Sequence, residues 1–481
     1  MYKKVYAAAF LGCIAVLPMS DTIALRNILL GVMLALFAGG IGFSSTVRSD
    51  AAVAVKWVPI PLILWIVYLC LFPLWAPLPE VAWENLRGQW GESIVAWVVA
   101  FGAVVVLGKQ GPGLWSLGIA SAFPLLVHLA LSILAVAGIW SSDFYDHQNL
   151  TGLYEEVSRW VRGEFVFGNF HNPIAERFHG IEVMHGNAGY ASSVAIAIFT
   201  AIFFGSRDQV RPAESALSLL AIGLCFLSVA IFRSRGALLF GVFIVAAGFA
   251  WHYGSARAHS RSGASRSALV LALFLVIGSI TYWSVQNDKR WAPMLDKVVA
   301  GLMVEDPIGT LCRGISEKDE AKLRQRLVGQ SEDYVDKVIT GLKGQDGGRI
   351  LLMRAGTDIM LENPWGYDGS RESYQGLIRL KCHGEPILGF SHSHNSWIDL
   401  SLAIGWLGMA LFFSIFYQLF TAARKRIISS CKDVSFLALG LLTIFWVFRG
   451  FFDSLYREHY LEMQATILMY LYISAAPVSE S

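Results

Sequence analysis

The chain has 481 residues, of which 55% are hydrophobic and only 15% charged, against about 25% charged residues in ordinary soluble domains. Its mean hydropathy is +0.52, which is more apolar surface than one soluble core can bury. The formal net charge of +2 excludes the basic surface expected of a nucleic-acid-binding protein. The composition therefore predicts an integral membrane protein.

Twelve apolar segments have about the length of membrane-spanning helices. A helix needs roughly 20 mostly apolar residues to cross the hydrocarbon core of a bilayer. The sequence therefore predicts an all-α integral membrane protein with about 12 transmembrane helices. The predicted spans are residues 5–20, 25–43, 57–76, 92–109, 115–138, 188–205, 213–232, 235–253, 267–285, 396–421, 434–451 and 459–476.

The short loops between these spans predict the orientation of the chain. Lysine and arginine accumulate in cytoplasmic loops. When the N-terminus is placed inside, every strongly basic short loop falls on the cytoplasmic side, so we expect both termini there. The basic residues of these loops are Arg48, Lys56, Lys109, Arg207, Arg211, Arg257, Arg261, Arg266, Arg424, Lys425, Arg426 and Lys432.

Two long polar segments, 139–187 and 286–395, fall on the opposite side. In the second, apolar residues recur at helical spacing around 317–327, 332–343 and 349–362, which predicts a small helical cap over the membrane domain. The predicted organisation is residues 1–285 with spans one to nine and the outer segment 139–187, residues 286–395 as the large outer loop, and residues 396–481 with the last three spans.

Six cysteines are spread along the chain, and none forms a CxxC or Cys/His cluster of the kind that binds zinc. Cys312 and Cys382 both lie in the large polar segment. A disulfide between them requires that this segment face an oxidising compartment, and the sequence leaves the pairing open.

Arginines at the outer ends of predicted spans form the first candidate site. Lysine and arginine normally accumulate on the cytoplasmic side of a membrane, so arginines at the opposite edge need a specific physical reason. Arg233 and Arg235 flank Ser234 between two predicted spans, and the planar guanidinium group holds phosphate oxygens through two hydrogen bonds. Helix-capping arginines that extend to the membrane surface are the alternative. Further polar residues of this face are Arg177, His185 and Arg349.

A pair of histidines precedes the tenth predicted span. His392 and His394 lie where the cap meets the membrane. An imidazole takes up a proton near neutral pH, which suits a general base that acts on a sugar hydroxyl. A structural or helix-capping histidine is the alternative. Asp453, in the last outer loop, is a candidate supporting carboxylate.

Motifs of metal-dependent and nucleotide-dependent enzymes are absent. The sequence has no Asp-x-Asp pair, no Gly-x-x-x-x-Gly-Lys loop and no His-Glu-x-x-His motif. If this is an enzyme with a phosphate leaving group, arginines must supply the stabilising charge that a metal otherwise gives. We therefore expect neither a metal nor a cofactor.

Several of these elements, taken in order, resemble the O-antigen ligase family, which belongs to a wider superfamily of O-antigen polymerases and bacterial O-oligosaccharyltransferases. Residues 394–408, with His-Asn, nine residues, Gly, two residues and Gly, resemble the family's signature. Residues 234–237 resemble its Ser-Arg-Gly element. Residues 347–349, Gly-Gly-Arg, open a predicted helix that ends at 363–366, Asn-Pro-Trp-Gly, and this stretch resembles its large-loop segment. The resemblance covers about residues 185–420.

The resemblance implies a GT-C-like membrane glycosyltransferase of the bacterial inner membrane, with its active site on the periplasmic side. Its donor would be a polysaccharide on undecaprenyl diphosphate, and its acceptor a sugar of lipid A–core in lipopolysaccharide biosynthesis. Carried over by position, His394 would be the general base. Arg235 and Arg349, with Arg233 beside them, would hold the diphosphate. The transfer would invert the anomeric centre without a metal.

Other functions stay open at this point. An O-antigen polymerase would use the same donor and join one repeat unit to another, and an O-oligosaccharyltransferase would modify a protein. A secondary transporter or flippase also fits twelve spans. Transporters, however, tend to have repeated halves and charges near mid-membrane, and this sequence has no internal symmetry.

Overall fold

A computed structural model provides the structure of the chain, and all of the regular secondary structure in the residues it describes is helical. The outer segment predicted at 139–187 lies outside these residues, apart from its last three. The described residues are 2–18, 23–136, 185–205, 212–231, 234–255, 264–288, 290–343, 346–430, 434–455 and 460–475.

Every predicted span coincides with a helix of the structure. Numbered in chain order, the α-helices are α1 (Tyr2–Val16), α2 (Ile23–Phe43), α3 (Ser45–Ala54), α4 (Ile60–Leu71), α5 (Pro79–Asn85), α6 (Gly91–Leu107), α7 (Leu114–Val136), α8 (His185–Phe204), α9 (Pro212–Ile231), α10 (Arg235–Ser255), α11 (Ala264–Asn287), α12 (Met294–Met303), α13 (Pro307–Arg313), α14 (Glu317–Arg326), α15 (Glu332–Thr340), α16 (Asp346–Glu362), α17 (Ser373–Cys382), α18 (Ser396–Ser430), α19 (Val434–Gly450) and α20 (Tyr460–Ser474).

In the described part of the chain, five helices are long and apolar enough to cross a membrane, or six if the bent pair formed by Ser45–Trp57 and Ile60–Leu74 is one span. The chain is therefore a multi-pass helical membrane protein, while twelve crossings and a GT-C-like fold stay predictions. The five helices are Ala24–Phe43, Pro79–Gln110, Ala213–Ala230, Ser267–Asn287 and Ser396–Ile427.

The apolar helices form one bundle, and α8 lies at its centre. It packs against α7, α9, α10 and α19, and its residues from Ala191 to Phe204 are all buried. Alanines such as Ala195 and Ala201 let the neighbouring helices approach closely. Within a bilayer, burial from water does not drive helix association, so helices associate through this close packing. Helix α20 packs on α6, and α18 packs on α4 and α19.

Helices α12 to α17 pack around a second apolar core, and we call these six helices the cap. Leu351, Leu323 and Tyr374 are among its buried side chains, and α18 contributes Ile398 and Leu402 to the same core. The helices predicted around 317–327, 332–343 and 349–362 coincide with α14, α15 and α16. The cap therefore rests directly on the first turns of α18.

Cys312 and Cys382 form a disulfide that joins α13 to α17 within the cap. The sequence left this pairing open because it depends on whether the segment faces an oxidising compartment. The two residues are 70 positions apart. In the chain-entropy model, a bridge that closes a loop of this length stabilises the folded state by about 4 kcal/mol. The disulfide therefore holds the two ends of the cap together.

Helix α18 is interrupted at Gly405, where φ is 79° and ψ is 170°. Glycine adopts this conformation without the steric cost of a Cβ atom. The loop after α16 packs into the break. The Trp406 N–H donates to the Pro364 carbonyl at 2.9 Å, and the Tyr367 N–H donates to the Ala403 carbonyl at 3.3 Å. The break thus fixes the first turns of α18 against the cap.

We expect Gly405→Ala to destabilise the protein. A methyl group at this position would lie 2.7 Å from the Trp365 carbonyl carbon, and the positive φ alone costs about 1–3 kcal/mol for a residue with a Cβ atom. Thermal unfolding of the purified protein should show a midpoint several degrees lower. Gly278→Ala is the matched control, because a Cβ there meets open space. Equal midpoints for the two variants would contradict the role of the break.

Candidate active site

The loop that leads from the cap into α18 carries both histidines. Asn395 caps the helix, because its Oδ1 accepts the backbone N–H groups of Trp397 at 3.0 Å and Ile398 at 3.1 Å. These donors have no partner within the helix itself. His394, the residue before the cap, has a φ of 56°. A residue with a side chain keeps this left-handed conformation only when its surroundings enforce it.

The Asp399 carboxylate ties this loop to the one that follows α19. Its Oδ1 accepts the Ser393 backbone N–H at 2.9 Å, and its Oδ2 accepts the Ser454 hydroxyl at 2.6 Å. The Ser396 N–H and hydroxyl both donate to the Asp453 backbone carbonyl, at 3.1 and 2.6 Å. The two loops therefore form one hydrogen-bonded unit that holds His394 in place.

Asp453 lies between an imidazole and a guanidinium group. Its Oδ1 is 3.8 Å from His394 Nδ1, and its Oδ2 is 2.8 Å from Arg449 Nη2. Burial raises the pKa of the Asp453 carboxyl, but the charge of Arg449, the contact with His394 and the charge of Arg349 together hold this pKa well below its usual value. Asp453 is therefore ionised, and its negative charge lies beside the His394 ring.

Arg449 connects Asp453 to the Ser-Arg-Gly element. The Arg449 side chain is 8% exposed, and its guanidinium carbon lies 5.1 Å from the centre of the Phe240 ring. A methyl group at Gly236 would lie 3.3 Å from Arg449 Nη1, and one at Gly189 would lie 3.7 Å from Nη2. The glycine of the element thus leaves room for a buried cation.

Arg235 opens α10 and forms a salt bridge to Asp346 at the start of α16. Its Nη2 lies 3.1 Å from Asp346 Oδ2, and its Nη1 donates to the Arg290 carbonyl at 2.8 Å. The guanidinium also lies 5.9 Å from the Trp291 ring. Arg349 is three positions after Asp346 on the same helix. Arg235 therefore contacts the first turn of α16, which is the turn that carries Arg349.

Lys297 adds a further cation near Asp346. Burial lowers the pKa of its ammonium group, the Asp346 charge opposes this change, and the Arg235 and Arg290 charges contribute to it. Only 5% of Lys297 is exposed. The Asp346 carboxylate thus occupies an anion position among neighbouring cations, and a phosphate group there would meet the same partners.

Four of the predicted site residues lie close together. The rings of His392 and His394 are 4.2 Å apart between centroids, Asp453 faces His394, and the charge of Arg349 acts on Asp453. Arg235 is connected to this group through Arg449 and through α16. The described residues do not include Arg177, Arg233 or the side chain of His185, which the sequence also predicted for the site.

Sequence reasoning assigned neither Arg449 nor Asp399 a role in the site. Arg449 and Asp453 are four positions apart, a spacing at which opposite charges meet on a helical turn. Asp399 lies inside the predicted span 396–421, where a charged residue indicates a functional site by default. Both signals were present in the sequence.

Within the described residues, one group of side chains brings three candidate metal ligands near one another. The candidate ligand atoms of His392, His394 and Asp453 all lie within 4.8 Å of one another. The sequence predicted no metal, because metal sites are recognised in a sequence by ligands at short and regular spacing. These three residues come from two loops that lie far apart in the chain.

The fold and the site together define the class of protein. It is a multi-pass helical membrane protein with a polar site between a helical cap and the apolar bundle. Residues 217–413, about two fifths of the chain, match the family model described as O-Antigen ligase. The match supports membership of the O-antigen ligase family, as the motifs predicted, and so supports a glycosyltransferase-like enzyme of O-antigen assembly. It includes Arg235, Arg349 and His394 but ends before Arg449 and Asp453. No curated protein matches the chain significantly.

We expect Arg449→Met to destabilise the protein, because it leaves the Asp453 carboxylate, which is only 20% exposed, without its cation. Breaking a fully buried ion pair on one side typically costs about 3–5 kcal/mol, and the partial exposure of Asp453 lowers this cost. The thermal unfolding midpoint of the purified variant should fall accordingly. The double variant Arg449→Met/Asp453→Leu removes both charges and should regain most of the loss. If the single variant is as stable as the double variant, the ion pair does not hold the site together.

Proposed function

We propose that this protein transfers an O-antigen polysaccharide from undecaprenyl diphosphate to a sugar hydroxyl of lipid A–core. In this proposal the transfer inverts the anomeric centre and needs no metal. The observation that carries it is the convergence of an imidazole with the two arginine-bearing motifs. His394 faces the ionised Asp453, whose partner Arg449 packs on the Ser-Arg-Gly element, and Arg349 acts on the same carboxylate.

The cap side of the bundle is the periplasmic side in this proposal, and the protein lies in the bacterial inner membrane with both termini in the cytoplasm. The Cys312–Cys382 disulfide supports this orientation, because disulfides persist in the bacterial periplasm and are rare in the cytoplasm. The strongly basic short loops support it independently, since they would lie on the opposite side. A lipid-linked donor and a lipid-linked acceptor would then meet at one membrane face.

The acceptor half of the reaction uses His394. With Nδ1 turned toward Asp453, Nε2 is the ring nitrogen that remains for the acceptor hydroxyl. This nitrogen takes the hydroxyl proton while the oxygen attacks the anomeric carbon of the donor. The imidazolium ion that forms is stabilised by the Asp453 carboxylate, which Arg449 keeps ionised. Asp399 and Asn395 hold the imidazole in position through the bonds of its loop.

The donor half uses Arg235 and Arg349. As the bond between the anomeric carbon and the diphosphate oxygen breaks, negative charge grows on the diphosphate. Guanidinium groups already in place stabilise this charge as it develops. Arg235 is bonded to Asp346, so in this mechanism a donor phosphate replaces the carboxylate as its partner. Binding both anchored substrates at one face also removes much of the entropic barrier.

We expect His394→Ala to lose transfer activity by a factor of about 10²–10⁴, the usual contribution of a general base. The assay uses the purified full-length protein, a polysaccharide on undecaprenyl diphosphate and lipid A–core, with a chelator present throughout. His383→Asn is the matched control, because this exposed cap histidine also has a positive φ, which asparagine tolerates. Near-normal transfer by His394→Ala would overturn the base assignment.

The same assay separates the related activities. Transfer to lipid A–core as the only acceptor supports the ligase function. Growth of the donor chain without lipid A–core would identify a polymerase instead. A parallel reaction without chelator is the reference, and transfer that occurs only in that reaction would contradict the metal-independent mechanism.

A further inference from the structure

His392, His394 and Asp453 direct metal-binding atoms toward a common point. All three side chains are partly exposed, and one candidate ligand atom from each lies within 4.8 Å of the other two. The two imidazole rings are 4.2 Å apart between centroids. Asp453 Oδ2 is bonded to Arg449, whereas Oδ1 accepts the Ser454 backbone N–H at 2.9 Å and faces His394. The second lone pair of Oδ1 is therefore the position open to an ion.

The donor set determines which ions this group selects. Two imidazole nitrogens and one carboxylate oxygen suit zinc(II) and copper(II), whereas magnesium and calcium prefer oxygen ligands. Zinc holds such atoms at about 2.0–2.2 Å, which places neighbouring ligands of a tetrahedral site roughly 3.4 Å apart. The group must therefore contract by about an ångström. His392 supplies this movement, because its ring is partly exposed and lies in a loop.

The surrounding charges limit the affinity. Arg449 and Arg349 both act on Asp453, and their positive charge repels a dication. Structural zinc sites bind far more tightly because thiolates or additional ligands complete them. A site with three protein ligands leaves a coordination position to water, so an ion bound here exchanges readily.

We infer that His392, His394 and Asp453 form a reversible inhibitory site for zinc(II) or copper(II). The ion binds Nδ1 of His394 and the carboxylate that faces it. The ring proton then stays on Nε2, so this nitrogen can no longer take the proton of the acceptor hydroxyl. The binding of the ion is argued from the positions and chemistry of these three side chains and does not depend on the proposed function. The inhibitory consequence rests on the proposed function.

Binding is tested without any substrate, on the full-length protein in detergent with its affinity tag removed. Cobalt(II), whose visible absorption reports nitrogen ligands, is the spectroscopic probe, and zinc is added in competition. We expect one equivalent to bind to the wild type and to His383→Asn. His392→Ala and His392→Gln should bind more weakly by roughly tenfold or more, because one of three protein ligands is lost. Unchanged affinity in these variants would overturn the site.

A second readout needs no variant. Zinc should protect His392 and His394 of the wild type from modification by diethyl pyrocarbonate, detected by mass spectrometry, and should leave His383 reactive. Equal modification with and without zinc would contradict the proposal.

The transfer assay then tests inhibition, with each variant compared with its own uninhibited rate. Zinc should inhibit the wild type, chelator should restore its activity, and magnesium should have no effect. His392→Ala should require a higher zinc concentration, by the same factor as its loss of affinity. Binding without inhibition would leave the metal site in place but count against His394 as the base.

Discussion

A guanidinium group and a carboxylate meet in a largely buried pocket at the cap side of the bundle, where Arg449 of α19 bonds Asp453 at 2.8 Å. Removing two charges from water is costly, and such a pair persists only when further hydrogen bonds satisfy its atoms. Here Asp453 Oδ1 accepts the Ser454 backbone N–H at 2.9 Å and faces His394. The Asp453 backbone carbonyl also accepts both donors of Ser396. The pair therefore fixes the last loop, the start of α18 and the imidazole relative to one another.

The same pair explains why motifs that are distant in sequence lie together. Gly236 of the Ser-Arg-Gly element packs on the Arg449 guanidinium, and Gly405 of the histidine signature receives the loop after α16. Glycine is required at position 405, where φ is positive and a Cβ would lie 2.7 Å from backbone. A Cβ at position 236 would lie 3.3 Å from Arg449 Nη1, so the guanidinium would have to shift slightly. Placing a cation and an imidazole at a membrane edge costs free energy. A reaction between two membrane-anchored substrates with an anionic leaving group requires both groups at that edge.

Hydropathy and periodicity were sufficient to predict the local elements. The predicted spans fall on helices because apolar length is a local property, and α14 to α16 follow from apolar spacing. Contacts between distant segments were not predictable in this way. The Cys312–Cys382 bond, the Arg235–Asp346 salt bridge and the Asp399 bonds each join residues that no local pattern relates. His394 and Asp453 were found through chemistry and resemblance, but Arg449, which links them to the phosphate-binding motif, was not.

The most direct measurement is a structure of the protein with undecaprenyl diphosphate bound, determined by cryo-electron microscopy in lipid nanodiscs. The account predicts diphosphate oxygens at about 2.7–2.9 Å from the guanidinium nitrogens of Arg235 and Arg349. It also predicts that the Asp346 carboxylate has left Arg235 and that the His394 ring faces the carbon end of the donor. A diphosphate bound away from both arginines, or a His394 ring turned toward lipid, would contradict the account.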